Sequence, residues 1–239
     1  MSPRLQTPMT SSMRSHSGGL NIRGFSLLEM AIVLAIVGLL MAGLLPSLTS
    51  QIEQQRRTET RKQLADIQQA LLGFAIINGR LPCPTTVADP ANAAYGEEAA
   101  SCASNPTAEG YLPWKTLGVL ETDAWGNKRN NAGDGWSGYW RYRVDRNFAS
   151  PISLSTTFSS DALAVRDNAG NSLTSTSERP IALVYSTGPN LTADGQNASF
   201  EATAGIYQSD APTANFDDIL VWMSRPQLLN RLVSAGKIP

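Results

Sequence analysis

Histidine is almost absent from this sequence, which has a single one among 239 residues, at His16. Histidine is the side chain whose unperturbed pKa places its charge change near neutral pH. Ser-His-Asp triads, Cys-His pairs and histidine-ligated zinc sites are therefore not available to the rest of the chain. This scarcity argues against most hydrolases, and we expect that the protein is not an enzyme.

Net charge is also small, because 19 basic and 20 acidic residues leave a formal charge of −1. No acidic residue precedes Gly24, whereas Arg4, Arg14 and Arg23 do, so the chain after Gly24 is more acidic than the whole. No basic region remains there that would attract a nucleic acid, and no nucleic acid is expected as a partner.

One long apolar run is present, from Phe25 to Leu45. About 20 such residues, at a helical rise of 1.5 Å, span the core of a bilayer, so the run predicts a membrane segment. A secretory signal peptide usually has a shorter apolar region of about 7 to 15 residues. Glu29 lies inside this run, where a carboxylate costs roughly 2.5 kcal/mol or more and is expected to have a partner and a function.

The residues Arg23-Gly24-Phe25-Ser26-Leu27-Leu28-Glu29 resemble the processing site of type IV prepilins and type II secretion pseudopilins. In that family a membrane peptidase cuts after the glycine and methylates the new N-terminal amine. The resemblance implies that residues 1–24 are a leader peptide, that cleavage falls between Gly24 and Phe25, and that Phe25 becomes N-methylated.

Two interpretations of Glu29 remain open. In a filament its carboxylate can pair with the charged N-terminal amine of a neighbouring subunit, which offsets the desolvation of both groups. In the other interpretation the side chain only reaches to the lipid headgroups near the start of a helix. The two can apply at different stages of the life of the protein.

The cysteines, Cys83 and Cys102, lie 19 positions apart without CxxC spacing. Downstream of an export signal, such an isolated pair indicates one disulfide. In the familiar major pilins the disulfide lies close to the C terminus, so its position here favours a minor pilin or pseudopilin. The turn Asp123-Ala-Trp-Gly-Asn127, followed by an aromatic strand, resembles a feature of pseudopilins and related minor pilins.

Beyond the apolar run, the periodicity predicts that the first helix continues to about Asn78, where Gly79 and Pro82 end it. Its apolar stripe should pack on a sheet. A short helix is expected near the C terminus, with Ser224 and Gln227 at capping-box spacing. The apolar stripe of the first helix comprises Ile52, Leu64, Ile67, Leu71 and Phe74 or Ala75. Strands are expected at 140–144, 181–185 and 218–222.

The predicted fold class is therefore α+β and pilin-like, with a long N-terminal transmembrane helix packed on an antiparallel sheet and a short C-terminal helix. Residues 25–48 would be the transmembrane half of the first helix. Residues 49–239 would form a pilin-like domain in the periplasm or outside the cell. The implied location is the bacterial inner membrane, crossed once, or an extracellular pilus.

A region rich in oxygen ligands suggests calcium as a cofactor, since calcium takes six to eight oxygens from carboxylates, amides and backbone. The candidates are Asn190, Asp194, Asp217 and Asp218. Ordinary turns rich in Asn and Asp are the alternative, and no stretch has EF-hand spacing. Because adjacent residues on a strand point to opposite faces, Asp217 and Asp218 are not expected to act as a catalytic pair.

The function implied by the resemblance is that of a structural, minor subunit of a type IV pilus or type II secretion pseudopilus. Its partners would be other pilin or pseudopilin subunits, the prepilin peptidase and the inner-membrane assembly platform. The alternative is a surface-exposed adhesin or ligand-binding minor pilin, for which an aromatic stack is one candidate, although core packing is the commoner role. The stack would comprise Trp125, Trp136, Tyr139 and Trp140.

Overall fold

The computed structural model of the protein describes residues 25–103, 109–199 and 205–239, without the side chains of 42–48 and 199. Two compact units are present, Met1–Thr49 and Ser50–Pro239. The helices are α1 (Leu27–Asn78), α2 (Trp114–Leu117) and α3 (Arg225–Ser234), and the strands are β1 (Glu109–Tyr111), β2 (Arg141–Val144), β3 (Ala164–Arg166), β4 (Pro180–Ser186), β5 (Ile206–Gln208) and β6 (Ile219–Ser224).

In the first unit, all described side chains of residues 25–41 are exposed, including Leu27 at 93% and Leu39 at 78%. Across the ranges described above, the structure contains no helix that meets the usual length and hydropathy of a membrane span. The span expected at 25–48 includes the side chains of 42–48, which lie outside the described residues, and it stays a prediction.

In the second unit, α1 buries Leu64, Ile67, Leu71 and Ala75, as the periodicity predicts. Ile52 was expected in the same stripe, but it is 55% exposed. It precedes Leu64 by twelve residues, which at 3.6 residues per turn places it about a third of a turn away from the buried face.

The end of α1 at Asn78 agrees with the prediction. The next residue, Gly79, adopts a φ of +70°, a left-handed conformation that favours glycine. Its backbone N–H donates to the carbonyl of Ala75 at 2.8 Å.

The main sheet has the strand order β1-β2-β4-β6, and all of its neighbouring strands are antiparallel. Ala182 and Val184 of β4 pack in the core shared with α1, whereas Leu183 and Tyr185 pack in a second core. Because both faces of β4 are covered, its sequence is a continuous apolar run rather than an alternating one.

The second core also contains Leu163, Val165 and Tyr207 from the segments of a two-stranded parallel sheet, β3 and β5. Neither of these three-residue strands was predicted from the sequence. For the strand expected at 140–144, the alternation of apolar and basic residues predicts that Tyr142 and Val144 are buried and Arg143 is exposed, and this is correct for Tyr142 and Val144. It is wrong for Arg143, which is 2% exposed because Glu109 and Asp161 neutralise it inside the domain.

Cys83 and Cys102 form a disulfide with a Cα–Cα distance of 5.6 Å, as predicted. Both lie in the core shared with α1, so the bond pins the segment between α1 and β1 to that core.

The C-terminal helix α3 buries Leu228 and Leu232. The capping box expected at its start is not formed, because Ser224 makes no side-chain cap hydrogen bond. Pro226 at the second helical position removes one of the backbone N–H groups that such a cap uses. Gly236, with a φ of +66°, follows the helix end.

Candidate functional site

The N-terminal end of α1 carries a reciprocal capping box that links Ser26 and Glu29. The backbone N–H of Ser26 donates to Glu29 Oε2 at 2.9 Å, and the backbone N–H of Glu29 donates to Ser26 Oγ at 3.3 Å. The S-x-x-E spacing is the usual sequence signal for this arrangement, although the capping box was not among the features predicted from the sequence. Glu29 therefore has a local function in the single chain, in addition to either interpretation given above.

The expected cleavage site adjoins this cap. Phe25 is 82% exposed, whereas Gly24 lies outside the described residues. Cleavage between Gly24 and Phe25 and methylation of Phe25 stay predictions. An ionised carboxylate accepts several hydrogen bonds, so Glu29 can keep its cap and still meet a cation from another molecule.

The Asp123–Asn127 turn connects α1 to the sheet. Asp123 Oδ1 accepts hydrogen bonds from the backbone N–H groups of Trp125 and Gly126, at 2.9 and 2.8 Å, while its Oδ2 accepts one from Ser186 Oγ at the end of β4. The indole N–H of Trp125 donates to Glu53 of α1 at 3.1 Å. The motif thus holds the helix, the turn and the end of the central strand together.

Glycine is required where this turn meets the chain that precedes β2. Gly138 has a φ of +67°, and a Cβ added there would overlap the Cα of Gly126. The aspartate and the two glycines therefore fix the position of Trp125 against α1.

Three carboxylates converge where the loop before the 195–199 turn meets the start of β6. Asp194, Asp217 and Asp218 each offer one oxygen, and these oxygens all lie within 4.8 Å of one another. Oxygens on opposite sides of one Ca²⁺, each at 2.3–2.6 Å from the ion, are about 5 Å apart, so the spacing suits shared coordination. We call these three residues the acidic cluster.

Backbone hydrogen bonds hold the acidic cluster together. The N–H of Asp194 donates to Asp218 Oδ2 at 3.0 Å, and the N–H of Asp217 donates to Asp194 Oδ2 at 2.9 Å. The side-chain amide of Asn197 also donates to Asp218 Oδ2 at 2.9 Å. Two further oxygens, Asp217 Oδ1 and Asp218 Oδ1, are buried and accept no hydrogen bond from the residues that the structure describes.

Burial and mutual repulsion disfavour the charged form of the acidic cluster. Desolvation raises the pKa of Asp218 to about 7, with smaller opposing contributions from its hydrogen bonds to Asp194 and Asn197. Desolvation, followed by the charge of Asp194, raises the pKa of Asp217. Buried, unpartnered carboxylate oxygens with raised pKa values are what a bound divalent cation would stabilise.

Two sequence-based expectations about this region change. Asp217 and Asp218 were expected to point to opposite faces of a strand, but β6 begins only at Ile219, so the alternation does not apply to them. Their carboxylates meet in the acidic cluster. Asn190, the fourth predicted ligand, presents its amide N–H group to both oxygens of Asp194, each at 3.1 Å.

The proposed aromatic stack divides into two groups. Trp125 and Trp140 lie in the core shared with α1. Trp136 stacks on Tyr111 with ring centroids 3.9 Å apart and lies edge-on to Tyr139 at 5.1 Å. The guanidinium of Arg129 lies 4.2 Å from the Trp136 ring centre, so intramolecular contacts account for this aromatic group.

One comparison with known proteins gives a match. Residues 20–45 match the family model described as the prokaryotic N-terminal methylation motif, which is consistent with the type IV prepilin and pseudopilin family. The matched segment contains Gly24, Phe25 and Glu29. No curated protein and no solved structure matches the chain at a significant level.

Proposed function

We propose that the protein is a structural, minor subunit of a type IV pilus or of a type II secretion pseudopilus. The observation that supports this most directly is the methylation motif at residues 20–45, in which the apolar helix begins at Leu27. The prepilin peptidase would remove residues 1–24 and methylate Phe25. The partners would be other pilin or pseudopilin subunits and the inner-membrane assembly platform.

The exposed apolar side chains of residues 25–41 support a function in which lipid or other protein molecules surround this segment. A helix that is apolar on all sides is stable when lipid or other protein surrounds it. In the proposal the segment lies in the bacterial inner membrane before assembly and among neighbouring helices afterwards. The domain of residues 50–239 then lies in the periplasm or in an extracellular filament.

Glu29 would act as an assembly contact in this scheme. Its carboxylate caps α1 in the single chain and would pair with the N-terminal amine of a neighbouring Phe25 in the filament. Pairing would offset the cost of holding each charge in an apolar environment.

Calcium binding by the acidic cluster belongs to the same proposal. Asp194, Asp217 and Asp218 have a suitable oxygen spacing, and two buried oxygens accept no hydrogen bond within the described part of the chain. A bound Ca²⁺ would supply the missing positive charge and fasten the loop at Asp194 to the start of β6. The role would be structural, with no catalytic step.

The intact mass of the protein purified from membranes tests the proposed processing. We expect a chain that begins at Phe25 and carries one added methyl group. A chain that begins beyond Leu45 would contradict the proposal, because a signal peptidase would then have removed the apolar segment that assembly requires.

A further inference from the structure

A cavity of about 460 Å³ lies beside the small parallel sheet that β3 and β5 form. Its lining combines parts of β3, the segment leading to β4, and the start of β5. Cavities of roughly 300–1,000 Å³ are typical of small-molecule sites. The charged lining residues are Asp161, Arg166 and Arg179, and the hydroxyl-bearing ones are Ser160, Ser172, Thr174, Ser175 and Thr176.

The acidic member of this lining is already neutralised. Asp161 is 1% exposed at its side chain, and its oxygens contact Arg146 Nη2 at 2.7 Å and Arg143 Nη2 at 3.4 Å. Its negative charge is therefore already balanced and does not neutralise Arg166 and Arg179, which line the same cavity.

Those two arginines have no acidic partner among the described residues. Neither Arg166 nor Arg179 forms an ion pair there, and Arg166 Nε is buried without a hydrogen-bond acceptor. A buried donor that lacks an acceptor is costly, and a guanidinium matches a carboxylate or phosphate through paired N–H groups. The cavity thus has an excess of positive charge in a protein whose net charge is negative.

The hydroxyl groups add a second type of recognition. Thr174 Oγ1 is held in place by the backbone N–H of Val165, at 3.1 Å, whereas Ser172 and Thr176 make no side-chain hydrogen bond within the described residues. Serine and threonine hydroxyls both donate and accept hydrogen bonds, as the hydroxyls of a sugar do.

We propose that this cavity binds a small anionic carbohydrate, with Arg166 and Arg179 on its carboxylate or phosphate group and the serine and threonine hydroxyls on its ring. This binding role is additional to the structural one and uses none of the residues of the methylation motif or the acidic cluster.

The test is isothermal titration of the full chain in detergent with four probes. Glucose 6-phosphate and glucuronate carry both features, inorganic phosphate carries the anion alone, and glucose carries the hydroxyls alone. We expect at least one of the two anionic sugars to bind more tightly than both phosphate and glucose. The sugar that binds more tightly shows whether the cavity prefers a phosphate or a carboxylate group.

Variants then place the binding in the cavity. Arg179→Gln and Arg166→Gln should each weaken the Kd of the anionic sugar about tenfold or more, because each removes a charge-assisted contact. Arg56→Gln, the same change at an exposed position of α1, should leave it unchanged. Arg166→Lys serves if the glutamine variant does not fold, and it should also weaken binding since lysine cannot pair two N–H groups.

Several results would overturn the proposal. They are the absence of binding by both anionic sugars, binding of inorganic phosphate as tight as theirs, and unchanged affinity in both the Arg166 and the Arg179 variants.

Discussion

At the scale of single residues, Asp218 shows how burial and charge conflict in the acidic cluster. Asp218 is 4% exposed, one of its oxygens accepts no hydrogen bond from any described residue, and burial raises its pKa to about 7. Between about pH 4, where an unfolded aspartate titrates, and pH 7, the folded state binds more protons than the unfolded state. Without metal, stability should therefore fall as pH rises through this interval.

Substitution of Asp218 separates this cost from metal binding. Asp218→Asn removes the buried charge but keeps an oxygen that can accept the N–H of Asp194. We expect it to raise the Tm at pH 8 in the presence of a chelator and to abolish the rise in Tm that calcium gives the wild type. Thermal unfolding with and without calcium measures both effects.

The matched control is Asp66→Asn, which removes an exposed carboxylate from α1. It should leave both the Tm in chelator and the response to calcium close to the wild-type values. If Asp218→Asn responds to calcium as the wild type does, the acidic cluster is not the calcium site.

Arg143 presents the opposite case, in which a buried charge has its partners. Its guanidinium contacts Glu109 at 3.4 Å and Asp161 at 3.4 Å, and all three side chains are at most 3% exposed. Arg143→Met would leave those carboxylates short of a counterion and should lower the free energy of unfolding by about 3–5 kcal/mol. Urea denaturation measures this loss. Arg56→Met, at an exposed position, should change the free energy of unfolding by less than about 0.5 kcal/mol.

The sequence predicted the members of the acidic cluster but not their arrangement. Asp194, Asp217 and Asp218 were recognised as oxygen ligands, yet the carboxylates of Asp217 and Asp218 were expected to diverge because the last strand was placed one residue too early. Two long-range hydrogen bonds, from Asp194 to Asp218 and from Asp217 to Asp194, decide the geometry, and no local pattern reports such contacts.

At the scale of elements, local patterns predicted the end of α1, the positions of β4 and β6, and α3. Each has a strong periodic or compositional signal, and a glycine or a turn follows α1, β4 and α3. The parallel pair of β3 and β5 has three residues per strand, so its pattern is too short to distinguish from a loop. Its stability comes from the second core that it forms against β4, which only the folded chain reveals.

The disulfide is the covalent constraint on the segment between α1 and β1. Closing a loop of 19 positions contributes about 3 kcal/mol in the chain-entropy account. Replacing both Cys83 and Cys102 by alanine should lower the free energy of unfolding by about that amount, as measured by urea denaturation.

Thiol labelling of the wild type under denaturing, non-reducing conditions gives an independent check of the same bond. Neither cysteine should react with the label until a reductant is added. Two freely reactive cysteines would contradict both the disulfide and the oxidising compartment in which the domain is expected to mature.

At the scale of the whole molecule, the proposed function depends on what covers the apolar start of α1. The described side chains of residues 25–41 are all exposed, and Glu29 is the acidic residue among them. Lipid can cover the apolar side chains but cannot neutralise the carboxylate, whereas a neighbouring subunit can do both. Filament assembly therefore explains the charge as well as the apolar surface.

The two roles of Glu29 can be separated by substitution. Glu29→Gln keeps the capping box, since glutamine is accepted at this position, but removes the charge. Ser26→Ala removes one hydrogen bond of the cap, at a cost of about 1 kcal/mol to the helix, but keeps the charge. A contact that depends on the charge should respond to the first substitution and not to the second.

The most direct test is the amount of the protein in sheared filaments relative to the membrane fraction, compared among wild type, Glu29→Gln and Ser26→Ala. We predict that Glu29→Gln lowers this ratio about tenfold or more, because it leaves a neighbour's N-terminal cation unpaired in apolar surroundings. Ser26→Ala should stay close to the wild type. Equal ratios for Glu29→Gln and the wild type would contradict an assembly role for the charge of the carboxylate, and a loss in Ser26→Ala as large as that in Glu29→Gln would contradict the claim that the charge decides incorporation.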